Sequence, residues 1–257
     1  MGVSEEQGTG HFCKPAGIRT KSKRRMVWDL TEVVVGYGLI LSVIWTHRPF
    51  QHWLYFLTLG WFIVSMILSF EGWRALGCSI AGFWKCSWVV GVALFMGAST
   101  MLLANSMHTL HHPASPMGWV RSYAGYTVWA LMQQLLLQGY FLARLLRIVS
   151  NTTLAAFLSG SVFALAHLPN PILTPLTLIW GLAACFVFLR FQNVYPLAIA
   201  HAIFGITVAV SIPATILHNM RVGLGYIEYH PPRIHLSQSD HVVSTVAWVI
   251  ADAPTRR

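Results

Sequence analysis

A chain of 257 residues that is 55% hydrophobic and only 10% charged, with a mean hydropathy of +0.58, has too little polar surface to cover a soluble globule. It reads as an all-α, polytopic integral membrane protein. The formal net charge of +9 raises nucleic acid as a partner, but the basic residues gather at helix ends rather than on one soluble face, so membrane lipid accounts for them and no nucleic-acid partner is expected.

Residues 1–25 are polar and basic, as in a disordered cytoplasmic arm held near anionic headgroups. About 25 polar residues ahead of the first apolar run do not make a cleavable signal peptide, and Glu6 stands where a myristoylation signal needs Ser or Thr. A transmembrane domain is expected over 26–213. Its apolar runs, of the roughly 17–25 residues that span a bilayer, fall near 27–45, 53–70, 84–105, 122–143, 154–167, 172–189 and 194–213. That gives about seven helices, with six or eight as alternatives, and a mixed C-terminal tail over 214–257. Lys14, Arg19, Lys21, Lys23, Arg24 and Arg25 precede the first span, and Arg74, Lys85, Arg144, Arg147 and Arg190 fall on the same side if every span crosses, which predicts a cytoplasmic N-terminus.

In chain order, Asp29 and Glu32 near the start of the first span are expected to pair with Arg24 and Arg25. After the second span, the glycine-interrupted stretch from Glu71 to Lys85 is too short to cross and is expected to lie along the interface. His108, His111 and His112 have a spacing that could bind a metal, yet Pro113 and Pro116 predict a loop, with no carboxylate or cysteine nearby. The cysteines Cys13, Cys78, Cys86 and Cys185 form no Cys-x-x-Cys pair and read as small apolar fillers.

The fourth span, within Trp129 to Arg147, carries Gln133, Gln134 and Gln138. Amides in hydrocarbon are costly unless they face the bundle interior, so these three are expected at a shared site. Gln134 and Gln138 are four apart and share a face, whereas Gln133 is turned about 100° from Gln134. The fifth span runs into His167-Leu-Pro-Asn170-Pro, and the seventh carries His201 and Gly205. Between them lies a sixth span in which Gly181, Ala183 and Ala184 permit close helix approach.

This pattern resembles the CAAX protease and bacteriocin-processing family, also called CPBP or Abi, of intramembrane endopeptidases. That family has two adjacent glutamates with an arginine after a three-residue gap, then Phe-x-x-x-His, then His-x-x-x-Asn or Asp. Here the register fits from Gln133 to Gly205, with Phe163 and His167 completing the second motif and His201 opening the third. Gln133, Gln134 and Gln138 stand where the family has Glu, Glu and Arg, and Gly205 stands where it has Asn or Asp.

The resemblance implies a multi-helix bundle in which a glutamate activates water for attack on a peptide bond while the histidines orient it or hold a divalent metal. By that analogy the family positions His167, His201, Gln133 and Gln134 are the candidate catalytic residues, and Gln138, Phe163, Asn170 and Gly205 the candidate ligand-binding ones. An amide cannot serve as the general base, and losing one typically costs roughly two to four orders of magnitude in rate. The eight acidic residues leave none between Gly72 and Ile227. The expected function is thus a polar intramembrane cavity that binds a hydrophobic or prenylated peptide or an isoprenoid, with proteolysis lost or much reduced. Two alternatives stand beside it: an active hydrolase or lipid enzyme using His167 and His201 as base or as ligands of a divalent metal, and a structural subunit with a membrane protein partner. The family analogy points to a bacterial inner membrane.

Overall fold

In the computed structural model, which describes residues 23–230 other than 81, 112 and 114, all seven stretches read as spans are helical. The helices are α1 (Lys23–Ile44), α2 (Phe50–Leu68), the short α3 (Phe83–Cys86), α4 (Trp88–Ser106) and α5 (Pro116–Gln134). A π-helical segment (Leu135–Leu142) then leads into α6 (Ala143–Ile148), followed by α7 (Thr152–Leu165), α8 (Leu173–Phe191) and α9 (Tyr195–Ser211). Two single turns, α10 (Ala214–Leu217) and α11 (Leu224–Ile227), follow. The described residues contain no strand. Most of the basic arm, all but residues 23–25, lies outside the described residues, as does the tail beyond 230.

Helix boundaries follow local chemistry. Ser115 caps α5 by accepting the Gly118 N–H at 3.1 Å, with Pro116 at the first helical position. Asn151 caps α7 in the same way through Leu154 N. The expected loop at His108 and His111 is present, with His108 in the left-handed region at φ 55°.

Burial is arranged for a lipid solvent rather than for water. Large apolar side chains such as Phe50, Trp53, Phe95, Leu102 and Ile179 point outward, while Asp29, Glu32, Gln134, Gln138, Arg144 and His201 are buried. Exposed polar backbone and side chains are costly in hydrocarbon, so an apolar exterior over a polar interior marks an integral membrane protein. Four helical stretches, Lys23–Ile44, Phe50–Leu68, Phe83–Ser106 and Leu173–Phe191, are long and apolar enough to cross a bilayer. A fifth arises if Tyr195–Ser211 is joined to Ala214–Met220 across a 115° bend. The expected seven is thus not reached on length and composition. Thr152–Leu165 is only 14 residues long, and the continuous helix from Pro116 is diluted by Arg121 and its glutamines.

Packing nevertheless gathers the chain at two ends. The loop after α2 is clipped to the start of α9, with Val194 N donating to Gly77 O at 3.0 Å and Asn193 Nδ2 to Ser79 O at 2.8 Å. Arg147 lies 3.7 Å from Glu71 at the same end. This loop, from Glu71 to 82, is a string of turns wedged under the bundle. At the opposite end, His47 meets Glu228 at 2.6 Å and Gly223 N donates to Leu168 O at 2.8 Å. Between the ends, α7 and α8 approach closely because Gly160 and Gly181 face one another: a Cβ on Gly160 would lie 2.8 Å from Leu182, and one on Gly181 3.3 Å from Gly160 Cα. Ala184 is buried in this seam, whereas Ala183 faces outward.

The α1 carboxylates find partners farther away in sequence than expected. Glu32 is held by Arg144 Nε at 2.9 Å and accepts a short hydrogen bond from Ser65 Oγ, and Arg144 Nη2 also donates to Ser65 Oγ at 2.8 Å. Asp29 takes Arg147 at 2.7 to 3.1 Å, with Arg25 at 3.7 Å as a weaker neighbour. The reason is dehydration. Both carboxylates are buried, so they need cations inside the bundle, and Arg24 is exposed.

Candidate functional site

The site forms where α5 widens into the π-helical segment. Six consecutive residues from Leu137 to Leu142 are buried there, and Gly139 leaves room for Leu76 to approach. Local π winding is a recurrent feature of functional sites because it re-aims side chains relative to the preceding helix. Its outcome here is that Gln134 and Gln138, both fully buried, stay on one inward face.

A short chain of hydrogen bonds links three of the expected residues. Gln138 Nε2 donates to Gln134 Oε1 at 3.4 Å, and Gln134 Nε2 lies 3.1 Å from His201 Nδ1. With the Gln134 oxygen engaged by Gln138, its amide nitrogen donates to His201, so Nδ1 accepts and the ring proton sits on Nε2. A glutamate at 134 could only accept and would hold the opposite tautomer. Gln133 is half-buried and takes no part in this chain, in keeping with its 100° rotation.

His167 is fixed in a complementary state. Its Nδ1–H donates to Phe163 O at 2.8 Å, which leaves Nε2 with its lone pair. The Phe163 ring stands edge-on to both histidines, with centroids 4.9 Å from His167 and 5.8 Å from His201. The remaining ring nitrogens, both Nε2, carry the proton in His201 and the lone pair in His167. The pair therefore presents one acceptor and one donor.

Asn170 is placed differently. Its Oδ1 accepts from Ile172 N and Leu173 N at 3.1 and 3.0 Å, and its Nδ2 donates to Leu217 O and Arg221 O at 3.0 and 3.1 Å. All of its capacity is used to start α8 and to tie residues 217–221 onto the loop after His167. It is a structural clasp beside the histidine rather than a member of the Gln134–His201 chain.

At Gly205, a Cβ would overlap the Tyr126 hydroxyl and crowd its ring. The room that an Asn or Asp side chain would need is filled by a phenol entering from α5. Tyr126 meets Gly205, while Gln134, about two turns further along α5, meets His201, one turn back along α9. The two helices are therefore antiparallel across the site. Trp180 from α8 completes the wall, 6.1 Å from His201 and 5.1 Å from Phe204 between ring centroids. Sequence reasoning missed Tyr126 and Trp180. Nothing in their spacing sets them apart from the belt and core aromatics; only the packing of α5 and α8 on α9 reveals them.

Two buried polar atoms near these groups have no hydrogen-bond partner among the described residues: Gln138 Oε1 and Trp180 Nε1. Beside the site, Thr127, Val128, Leu131, Tyr195, Ala198 and Ile199 line an apolar cleft of about 190 Å³ between α5 and α9. Leu131 and Ala198 lie one helical turn from Gln134 and His201.

A divalent metal does not fit this donor set. Two imidazoles without a carboxylate or thiolate partner make an incomplete coordination sphere, and no group of three His, Cys, Asp or Glu side chains that could hold a metal occurs among the described residues. The tautomer of His201 also places a proton on the nitrogen that would have to ligate.

Residues 113–207, which contain every residue of the site just described, match the family model described as type II CAAX prenyl endopeptidase Rce1-like. No curated protein and no solved structure matches the chain. Residues 113–207 are thus similar to the type II CAAX prenyl endopeptidases, within a chain whose apolar helices are those of an integral membrane protein.

Proposed function

We propose that this protein keeps the intramembrane site of the CPBP endopeptidases as a binding site, holding a hydrophobic or prenylated peptide or an isoprenoid without efficient proteolysis. One observation carries the reading: the family's carboxylate position is Gln134, an amide bonded to His201, and no carboxylate replaces it. Residues 72–227 contain no acidic side chain. The nearest buried candidates, Asp29 and Glu32, are held by Arg147 and Arg144 at the far side of the π-helical segment. An amide neither accepts a proton near neutral pH nor activates water. The reading includes a cytoplasmic N-terminus, by the positive-inside rule, and a bacterial inner membrane by family analogy.

A photoreactive prenylated peptide in proteoliposomes tests this. Labelling of α5, α8 or α9 peptides, with the probe recovered at full length by mass spectrometry, is the expected result. Recovery of cleaved probe, lost in His167→Ala, would overturn it.

A second reading, hydrolysis with histidine as the base, is favoured by one feature. His167 Nε2 keeps its lone pair while Nδ1 is anchored on Phe163 O. Such a base would work without the carboxylate-side stabilisation of the family, and its signature would be cleavage by the wild type that survives Gln134→Leu but not His167→Ala.

A further inference from the structure

The two polar atoms left without partners among the described residues on the π-helical segment and α8, Gln138 Oε1 and Trp180 Nε1, carry no charge. Gln138 is fully buried, and among the described residues nothing donates to its Oε1 and nothing accepts from the buried Trp180 Nε1. His201 presents Nε2–H and His167 presents an Nε2 lone pair, the tautomers being set by Gln134 and by Phe163 O. Tyr126 adds a hydroxyl at Gly205. Buried donors and acceptors are normally satisfied, so unmet ones on both sides of a ring pair mark where a polar guest belongs. Of the cations that would favour an anion, Arg144 and Arg147 are engaged by Glu32 and Asp29, and Arg221, on the segment held by Asn170, has its guanidinium 5.3 Å from the Tyr229 ring centroid.

We infer that the site takes an uncharged, oxygen-bearing headgroup, an alcohol, ester or amide that both donates and accepts or accepts alone, attached to an apolar chain that lies in the cleft of Thr127, Val128, Leu131, Tyr195, Ala198 and Ile199. This rests on the binding function proposed above and narrows its ligand class. The cleft is assigned to the ligand's own chain because it begins one turn from Gln134 and His201, on the same two helices, and its lining is almost wholly apolar. A carboxylate or diphosphate would be buried there with no counter-charge, a large penalty that hydrogen bonds from neutral donors do not offset. The free carboxyl terminus of a prenylated peptide is therefore rejected as a headgroup, whereas its neutral ester is accepted.

The test uses the full-length protein in nanodiscs, with tritiated N-acetyl-S-farnesylcysteine methyl ester as the probe, and empty nanodiscs for lipid partitioning. Unlabelled farnesol and the ester should compete, while N-acetyl-S-farnesylcysteine, identical except for its carboxylate, and farnesyl diphosphate should be weaker by roughly 100-fold or more. Trp180→Phe, which keeps the ring and removes the N–H, should weaken ester binding by about 3- to 10-fold, with Tyr126→Phe acting similarly. Thermal unfolding of each variant checks that the fold is intact. Competition by the acid or the diphosphate as strong as by the ester would overturn the neutral-headgroup assignment and leave the binding function standing. Failure of every probe to bind above empty nanodiscs would overturn both.

Discussion

Replacing a glutamate by glutamine at position 134 changes more than a charge. A carboxylate only accepts, whereas the amide of Gln134 donates to His201 Nδ1 at 3.1 Å and sends the ring proton to Nε2. The glutamines and both histidines were legible in the sequence because polar residues in an apolar run must have a reason to be there. Their hydrogen-bond directions were not, since these depend on which helix each side chain meets. The same holds at Gly205, where the missing Asn or Asp was visible but the Tyr126 hydroxyl in its place was not. Gly205→Asn should therefore destabilise the protein by roughly 1–3 kcal/mol through overpacking. Thermal unfolding in detergent would measure it, and adding Tyr126→Ala should recover part of the loss. Full destabilisation in the double variant would mean that Tyr126 is not the obstacle. Gln134→Leu removes the donor to His201 and orphans the Gln138 amide, and is expected to cost about 1–3 kcal/mol in the same assay.

Among the elements, α1 and α6 are joined by buried charged pairs. Arg144 is 2% exposed at its side chain and Glu32 1%, and they share Ser65 from α2. Breaking such a pair from one side leaves a dehydrated charge, so Arg144→Ala should cost about 3–5 kcal/mol, whereas Arg144→Met with Glu32→Leu should be far closer to neutral. Chemical denaturation of the three proteins checks this, and an equal loss in the single and double variants would contradict it. The sequence indicated that Asp29 and Glu32 needed cations and offered Arg24 and Arg25 as the nearest. Sequence neighbours lose here because an i, i+4 partner on a lipid-facing turn cannot follow a carboxylate into the interior. The π-helical winding of Leu135–Leu142 had no sequence signal at all: Leu, Gln, Gly and Tyr are compatible with either winding, and the packing of Leu76 on Gly139 and Tyr140 on Gly36 only becomes visible in three dimensions.

For the molecule as a whole, each of the seven apolar runs falls on helix, because apolar runs in a membrane protein report the solvent directly, but four or five stretches, not seven, are long and apolar enough to span. Hydropathy was less informative where function enters. The stretch from Pro116, which carries Arg121 and the glutamines, is not among the helices apolar enough to span, and Thr152–Leu165 is short because the His167–Asn170 loop begins early. The segment after Pro213 was assigned to a tail, yet its described part folds back over that loop through Asn170, Leu217, Arg221 and Gly223. Its short turns and mixed polarity carry no periodicity to announce this. Asn170→Ala should orphan two carbonyls and two N–H groups, lowering stability by roughly 1–3 kcal/mol and speeding proteolysis between 213 and 223, with the helical bundle intact. Unchanged cleavage there would show that Asn170 does not hold the segment. Binding without turnover, as proposed, is tested most directly by the initial rate of cleavage of a prenylated CAAX peptide in proteoliposomes by the wild type and by His167→Ala. The two are predicted to match each other and protein-free liposomes; enzymatic turnover by the wild type that His167→Ala abolishes would contradict the account.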